Sequence, residues 1–356
     1  MWKFSEWFWK SSFWLPDGIS FDDFEDNEGT SYPKPRDMLF VPCFALAMLL
    51  IRYLFERFVA LPFAKYNELS DEIKMKSQIP NRTLETFYRK KSVHPTKSNI
   101  EELSKRLNMH QSDIRNWFRR RRNNDKPSVQ TKFIETSWKF TYYTAIFIYG
   151  MSYLWKEPWF WDHAKCWDNF PHQNLDAAIY IHFVIESGYY ASLVISAPND
   201  IIRKDFWEQM IHHIATLILI IFSYALNFVR IGALTMVLHD AADLLLQGAK
   251  CLAYIQKSKM ADFTFLCFAI TFLVTRLAIF PFWIIHNAVT SVSIIGPYTA
   301  NYLFTGLLCI LQCLHVYWSL IILKMAKEMM FRKPGEKLSD HRSDEEELSE
   351  NEKKIT

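Results

Sequence analysis

RKDFWEQMIHHIATLILIIFSYALNFVRIGALTMVLHDAADLLLQGAK, residues 203–250, holds two apolar runs, 207–227 and 229–249. Each approaches the roughly 20 residues that cross about 30 Å of hydrocarbon. Both carry groups that a lipid-facing helix tolerates poorly: His212, His213, His239, Asp240 and Asp243. Five ionisable side chains in two consecutive spans point to a cavity or mutual partners, and so to function. If the first run enters near Phe206, His212 lies roughly 9 Å deep, at 1.5 Å per residue. If the second leaves near Ala249 on the same side, Asp243 and His239 lie roughly 9–15 Å from that face, so all five groups meet at one depth. His212, Thr216, Ser223 and Asn227 form one polar stripe on a helix. His213 diverges from His212 by about 100° and need not share its task. His239 and Asp243, spaced i, i+4, share a face, where a carboxylate could orient an imidazole.

Outward from this stretch, further apolar runs fall at 38–62, 138–155, 177–196, 262–285 and 300–323, which predicts about seven transmembrane helices and an all-α polytopic fold. The mean hydropathy of −0.06 over 356 residues conceals this, because the chain is strongly segmented. Residues 1–37 carry 4 Lys/Arg and 8 Asp/Glu, residues 64–139 carry 18 and 9, and residues 140–323 only 9 and 11. An aromatic fraction of 16% and only 9 Gly exclude collagen-like and mostly disordered chains. Basic residues concentrate in the connections 64–137, 197–206 and 250–261 and after Leu323, while 286–299 has none. The bias places the N-terminus in the lumen and the C-terminus in the cytosol.

The predicted organisation is a lumenal aromatic-rich segment (1–37), a first transmembrane helix (38–63), a small helical domain (70–127), a membrane domain (130–325) and an acidic cytosolic tail (326–356). Trp2, Trp7, Trp9 and Trp14, with Phe4, Phe8 and Phe13, suit a membrane interface or packing onto the membrane domain. The six cysteines show no metal spacing, and five lie in or beside predicted spans, which reads as small buried hydrophobes. The sequon Asn81-Arg82-Thr83 falls on the cytosolic side and is expected to stay unmodified. Ser343 and Ser349 precede acidic residues as acidophilic kinases prefer, and Lys353-Lys354-Ile355-Thr356 has the form of a dilysine retrieval signal for the endoplasmic reticulum.

Within the soluble segment, NIEELSKRLNM (99–109) aligns Ile100, Leu103 and Leu107 on one helical face. SDIRNWFRRRRNN (112–124) offers Ser112 as an N-cap, turns Ile114, Trp117 and Phe118 inward and sets Arg119 to Arg122 on the other side. The pair resembles the second and third helices of a homeodomain. Where homeodomains hold adenine with Asn, this chain has Arg120, which can grip phosphate without reading sequence. A basic face on solvent or lipid headgroups is favoured over DNA binding.

The stretch 203–250 resembles the Lag1 motif of the TRAM-Lag1-CLN8 membrane domain, and the homeobox-like insertion after the first span is characteristic of animal ceramide synthases. The resemblance implies transfer of a fatty acyl group from acyl-CoA to the amine of a sphingoid base, forming (dihydro)ceramide in the endoplasmic reticulum membrane. It also implies homo- or hetero-dimers with related synthases and no cofactor beyond acyl-CoA as co-substrate. His212 and His213 correspond to the family's paired histidines, and His239, Asp240 and Asp243 to its His-Asp-x-x-Asp group. Gln247 stands where the family often has Glu. The family's chain-length determinant falls at about 286–299, HNAVTSVSIIGPYT, expected as a lumenal connection.

A thioester is already activated, so the enzyme must deprotonate an amine, position two substrates and stabilise an oxyanion. One of His212 and His213 is expected to serve as nucleophile or general base, tuned by His239, Asp240 or Asp243. His182 and His315 read as lone packing histidines, and Glu186 and Arg276 as weaker cavity or pairing candidates. Two rival readings remain at this stage: a metal-dependent membrane lipid hydroxylase or desaturase, built on His-x-x-x-Asp plus His-His, and a membrane-tethered homeobox-type nucleic-acid-binding regulator.

Overall fold

The computed structural model describes residues 7–26, 29–69 and 81–331. The tail candidates Ser343 and Ser349, the dilysine end, Trp2 and Phe4 lie outside the described residues. Ten helices carry the architecture: α1 (Pro35–Tyr66), α2 (Arg82–Lys90), α3 (Lys97–Leu107), α4 (Gln111–Asp125), α5 (Val129–Leu154), α6 (Ala177–Ser196), α7 (Phe206–Ala225), α8 (Val229–Tyr254), α9 (Ser258–Ile295) and α10 (Ala300–Phe331). The described residues contain no β-strand.

Helices α1, α6, α7, α9 and α10 are long and apolar enough to cross a membrane. Helices α5 and α8 are as extended, 26 residues each or about 39 Å. They fall short on composition, because α5 begins with Lys132, Glu135 and Lys139, and α8 carries Arg230, Asp240, Asp243 and Lys250. Composition and length thus mark five of the seven expected spans. The two others are the polar helices that the bundle wraps.

Contacts at the bundle's two ends show that the seven long helices run alternately up and down. At one end Arg52 of α1 pairs with Asp200, just past α6, at 2.7 Å. There Arg203 reaches Glu135 of α5 at 4.0 Å, and Cys251 and Tyr254 of α8 pack against the cluster of Ala64, Leu69 and Phe133. At the other end Tyr224 of α7 donates to Asp37 at 2.8 Å. Asn227 there donates to the carbonyls of Pro171 and Gln173, and Trp167 donates to Asn287 of α9 at 2.6 Å. Polar residues inside the apolar sequence are thus largely loop anchors.

Close approach between helices is bought with glycine. A Cβ on Gly188 of α6 would sit 2.8 Å from Phe44 Cβ and 3.2 Å from the α1 backbone, and one on Gly150 of α5 would sit 2.4 Å from Val237 of α8. Apolar side chains such as Leu46, Phe58, Phe263, Ile270 and Phe282 face outward, as lipid solvation demands.

The N-terminal aromatic segment packs onto the membrane domain. The Trp14 ring stacks on Phe222 of α7 at 4.6 Å and 7°, and its indole donates to the Phe8 carbonyl at 2.6 Å. The six cysteines are free, but only Cys166 is buried. Cys43, Cys309 and Cys313 lie on outer helix faces, contrary to the expected burial, because a small apolar thiol suits an apolar surround equally well.

Two further expectations need correction. The region expected as a connection, 286–299, is mostly helix: α9 continues through His286 to Ile295, leaving Gly296 to Thr299 as the turn. A wide π-helical segment, Val274–Ile285, absorbs Pro281 without ending the helix, and Asn287, polar in sequence, is held by Trp167 and the His163 carbonyl. The third helix of the soluble domain begins at Gln111, so Ser112 sits inside its first turn rather than capping it. Otherwise that domain follows the pattern, with Leu84, Phe87, Ile100, Leu103, Ile114, Trp117 and Phe118 forming one core. The sequon's Asn81 spends its side-chain oxygen capping α2, accepting from the Thr83 and Leu84 amides.

Candidate functional site

Three imidazoles meet in the middle of the bundle, each from a different helix. The ring of His212 on α7 lies 6.1 Å from that of His239 on α8, with 28° between their planes. His315 on α10 completes the cluster, 5.2 Å from His239 and 6.4 Å from His212. Trp318, one turn beyond His315, meets His212 edge-on at 5.5 Å and is tethered through its indole to Asp205 at 3.2 Å. Phe280 closes over His239 and His315 at 5.4 and 4.8 Å.

The tautomer of His239 follows from its partner. Its Nδ1 lies 2.7 Å from the Thr235 carbonyl, which can only accept, so Nδ1 carries the proton. Nε2 is thereby a buried lone pair, and it has no hydrogen-bond partner. His212 Nδ1 and both ring nitrogens of His315 likewise have no hydrogen-bond partner. Unpartnered polar atoms in a protein core are rare and call for an explanation; several on adjacent imidazoles suit a site whose partners arrive with substrate.

His213 turns the other way, as its 100° offset requires, and faces Tyr190 of α6 at 5.8 Å. The two aspartates also separate from the imidazoles. Asp243 pairs with Arg276 of α9 at 3.7 Å, and Arg276 donates to the Leu238 and His239 carbonyls at 2.8 and 2.9 Å. The arginine thus clamps the backbone of α8 at its histidine, and a carbonyl, not the expected carboxylate, holds the His239 ring. Asp240 points toward α6, beside Glu186 and His182. Of the five residues singled out in sequence, the structure brings His212 and His239 together, sets His213 beside them on a second face, and gives Asp240 and Asp243 to neighbouring contacts.

His315, which by sequence reads as a packing residue, stands in the cluster. A signal existed: in a span ending near Leu323 it lies about eight residues, or roughly 12 Å, from the same face as His212 and His239. Glu186 and Arg276, read as weaker candidates, both border the site.

A narrow cavity of about 80 Å³ opens from His239 into the bundle. Thr216, Thr235 and His239 line it near the cluster, and Phe228, Tyr298 and Phe304 near the far end. Along α8 the distance from His239 to Phe228 is eleven residues, about 16 Å. The lining is almost wholly apolar, apart from Ser223, the two threonines, His239 and tyrosine hydroxyls.

The TLC domain family matches residues 132–324, more than half of the chain and all of the cluster, and the homeodomain family matches residues 73–127. Human ceramide synthase 5 is 43% identical over 348 residues, covering 97% of this chain and 88% of its own length. Human ceramide synthase 4 is 40% identical over 351 residues, covering 98% and 88%, and human ceramide synthase 3 is 36% identical over 347 residues, covering 97% and 89%. These relatives lend no support to a hydroxylase, a desaturase or a nucleic-acid-binding regulator. With the TLC domain model matching more than half of the chain and these relatives 36–43% identical along nearly its whole length, the chain belongs to the ceramide synthase family.

Proposed function

We propose that the protein forms ceramide by transferring a fatty acyl group from acyl-CoA to the amine of a sphingoid base, in the endoplasmic reticulum membrane with its N-terminus lumenal and seven helices crossing. The observation that carries this reading is the apolar cavity that ends on His239, whose free Nε2 belongs to a ring 6.1 Å from that of His212: a place for an acyl chain, with a base at its end and a second imidazole beside it.

Direct attack of the amine would need one base. Two imidazoles side by side suit a division of labour. His212 attacks the thioester carbon, the carbon–sulfur bond breaks, and coenzyme A leaves as thiolate, taking up the proton that His212 loses. The acyl chain lies in the cavity. The sphingoid ammonium then gives one proton to His239 Nε2; its nitrogen attacks the acyl-imidazole carbon, the bond to His212 breaks, and the nitrogen's second proton passes to the departing imidazole, leaving the amide and neutral His212. His315 flanks both rings, and the Thr235 carbonyl orients His239. Arg276, with Asp243, holds the α8 backbone at the site, and His213 shapes the face toward α6 through Tyr190.

Support comes from the names of the relatives and from this geometry. Steady-state kinetics on the purified protein in nanodiscs test it: varying acyl-CoA at several fixed sphingoid-base concentrations should give parallel double-reciprocal lines. Intersecting lines would remove the covalent step, and absence of the amide product would remove the function. A ladder of acyl-CoA lengths then reads the cavity: lengths beyond what it holds should lose kcat/KM steeply.

A further inference from the structure

Beside the imidazole cluster, on the α6 side of α8, lies a second group of buried ligating side chains. His182, Glu186 and Asp240 are buried, at 0%, 0% and 1% exposure, and offer one ligating atom each, all within 4.8 Å of one another. His182 Nε2, both Glu186 carboxylate oxygens and Asp240 Oδ2 have no hydrogen-bond partner. Among the described residues the ion-pair contact of Glu186 is with His182, and none involves Asp240. The nearby arginine, Arg276, is engaged with Asp243 and two carbonyls.

Two carboxylates in an apolar interior require a positive charge. A proton shared by Glu186 and Asp240, which lie within hydrogen-bonding reach of each other, would neutralise one of the two charges and leave His182 Nε2 without a partner. The spacing fits a larger bridge. Nitrogen and oxygen ligands sit about 2.0–2.2 Å from zinc, so two on one tetrahedral ion are roughly 3.4 Å apart, and roughly 4 Å as the angle opens. His182 Nε2 and Glu186 Oε1 are 3.8 Å apart, too far for a hydrogen bond and within that range. The support around them is also that of a ligand set: Tyr153 Oη lies 2.7 Å from His182 Nδ1. In the tautomer where Tyr153 Oη accepts from Nδ1–H, the Nε2 lone pair is left for a ligand, the arrangement that orients metal-bound histidines.

The geometry points to a divalent-cation site formed by His182 and Glu186 of α6 and Asp240 of α8, taking a borderline ion of the zinc class through one nitrogen and two carboxylates. The ion neutralises the two acids and ties α6 to α8 one residue past His239. This site does not depend on the acyl-transfer reading, and metal content is measured without turnover, so the two fail separately.

The test is elemental analysis of the full-length protein purified in detergent, followed by titration of chelator-stripped protein with Co2+. The expected result is about one divalent ion per chain, falling at least tenfold in Glu186→Gln and His182→Ala and unchanged in His172→Ala. Stripped wild-type protein should take up one Co2+ with a visible d–d absorption band, and Glu186→Gln should not. Monodisperse elution of each variant shows that it folds. If Glu186→Gln does not fold, Co2+ uptake by stripped wild type, and its block by prior Zn2+, decides the matter. Wild-type protein that is metal-free as purified and takes up no Co2+ would overturn the proposal, and so would unchanged metal content in folded Glu186→Gln; either would leave a proton as the neutralising charge.

Discussion

The soluble α2–α4 unit and the membrane core treat polar side chains in opposite ways. In the soluble unit, Arg121 bonds Glu85 at 2.8 Å and also pairs with Asp125, while Tyr88 donates to Asp125 at 2.7 Å. The guanidinium of Arg121 beside Glu85 holds that carboxyl below its ordinary range. Burial, with Asp125 adding to it, pushes the Tyr88 hydroxyl up to about 12. In the membrane core, where a missing partner costs more, His212, His239 and His315 keep ring nitrogens unpartnered. Satisfied polar groups build a scaffold. Unsatisfied ones, held where desolvation makes them expensive, mark the place where the protein does chemistry.

Changes at the imidazoles should therefore act on turnover, and changes to the contacts that hold the helices, in the core or in the soluble unit, on stability. The largest effect is expected from His239→Gln, which removes the free Nε2: kcat for amide formation should fall by about 10²- to 10⁴-fold with thermal stability kept, as read by product assay and a melt on the same preparation. Arg276→Met follows. It leaves Asp243 without its arginine and two α8 carbonyls without their donor, so stability should drop by about 3–5 kcal/mol, and Arg276→Lys should recover part of it in a denaturation series.

Gly188→Val sharpens the comparison from the packing side. Its side chain would collide with Phe44 and the α1 backbone, and overpacking of this kind typically costs about 1–3 kcal/mol. The melting temperature should fall, with KM for acyl-CoA nearly unchanged in the folded fraction. The smallest effect belongs to Glu85→Gln. The pair with Arg121 is partly solvated, so its loss should cost at most about 1 kcal/mol and leave ceramide output unchanged. Because the folded-state pKa of Glu85 is depressed, its contribution is present above the unfolded value near 4.3 and is lost as pH falls through the folded one. The melting temperature of wild type should therefore approach that of the variant on acidification below about pH 4.

Much of this was legible in the sequence. Apolar length predicted the long helices, and depth arithmetic on His212 and His239 predicted that they meet, which they do across α7 and α8. What escaped depended on partners from distant segments. Asn287 looked like the start of a loop because its partners, Trp167 and the His163 carbonyl, come from more than a hundred residues away. Asp243 looked like the carboxylate for His239 because i, i+4 geometry allows it, but Arg276 reaches in from α9 and the Thr235 carbonyl takes the ring. His315 was discounted for standing alone in its span, although isolation along the chain says nothing about neighbours across a bundle. Local periodicity finds faces, and only packing shows what each face meets.

The most direct test of the central claim is intact-mass analysis of purified protein quenched within one turnover after acyl-CoA is added without sphingoid base. The account predicts a single added acyl group on wild type, chased into amide when the base is supplied, and none on folded His212→Ala. An acyl adduct of equal amount on His212→Ala, or amide formation at full rate with no adduct on wild type at any time, would contradict it.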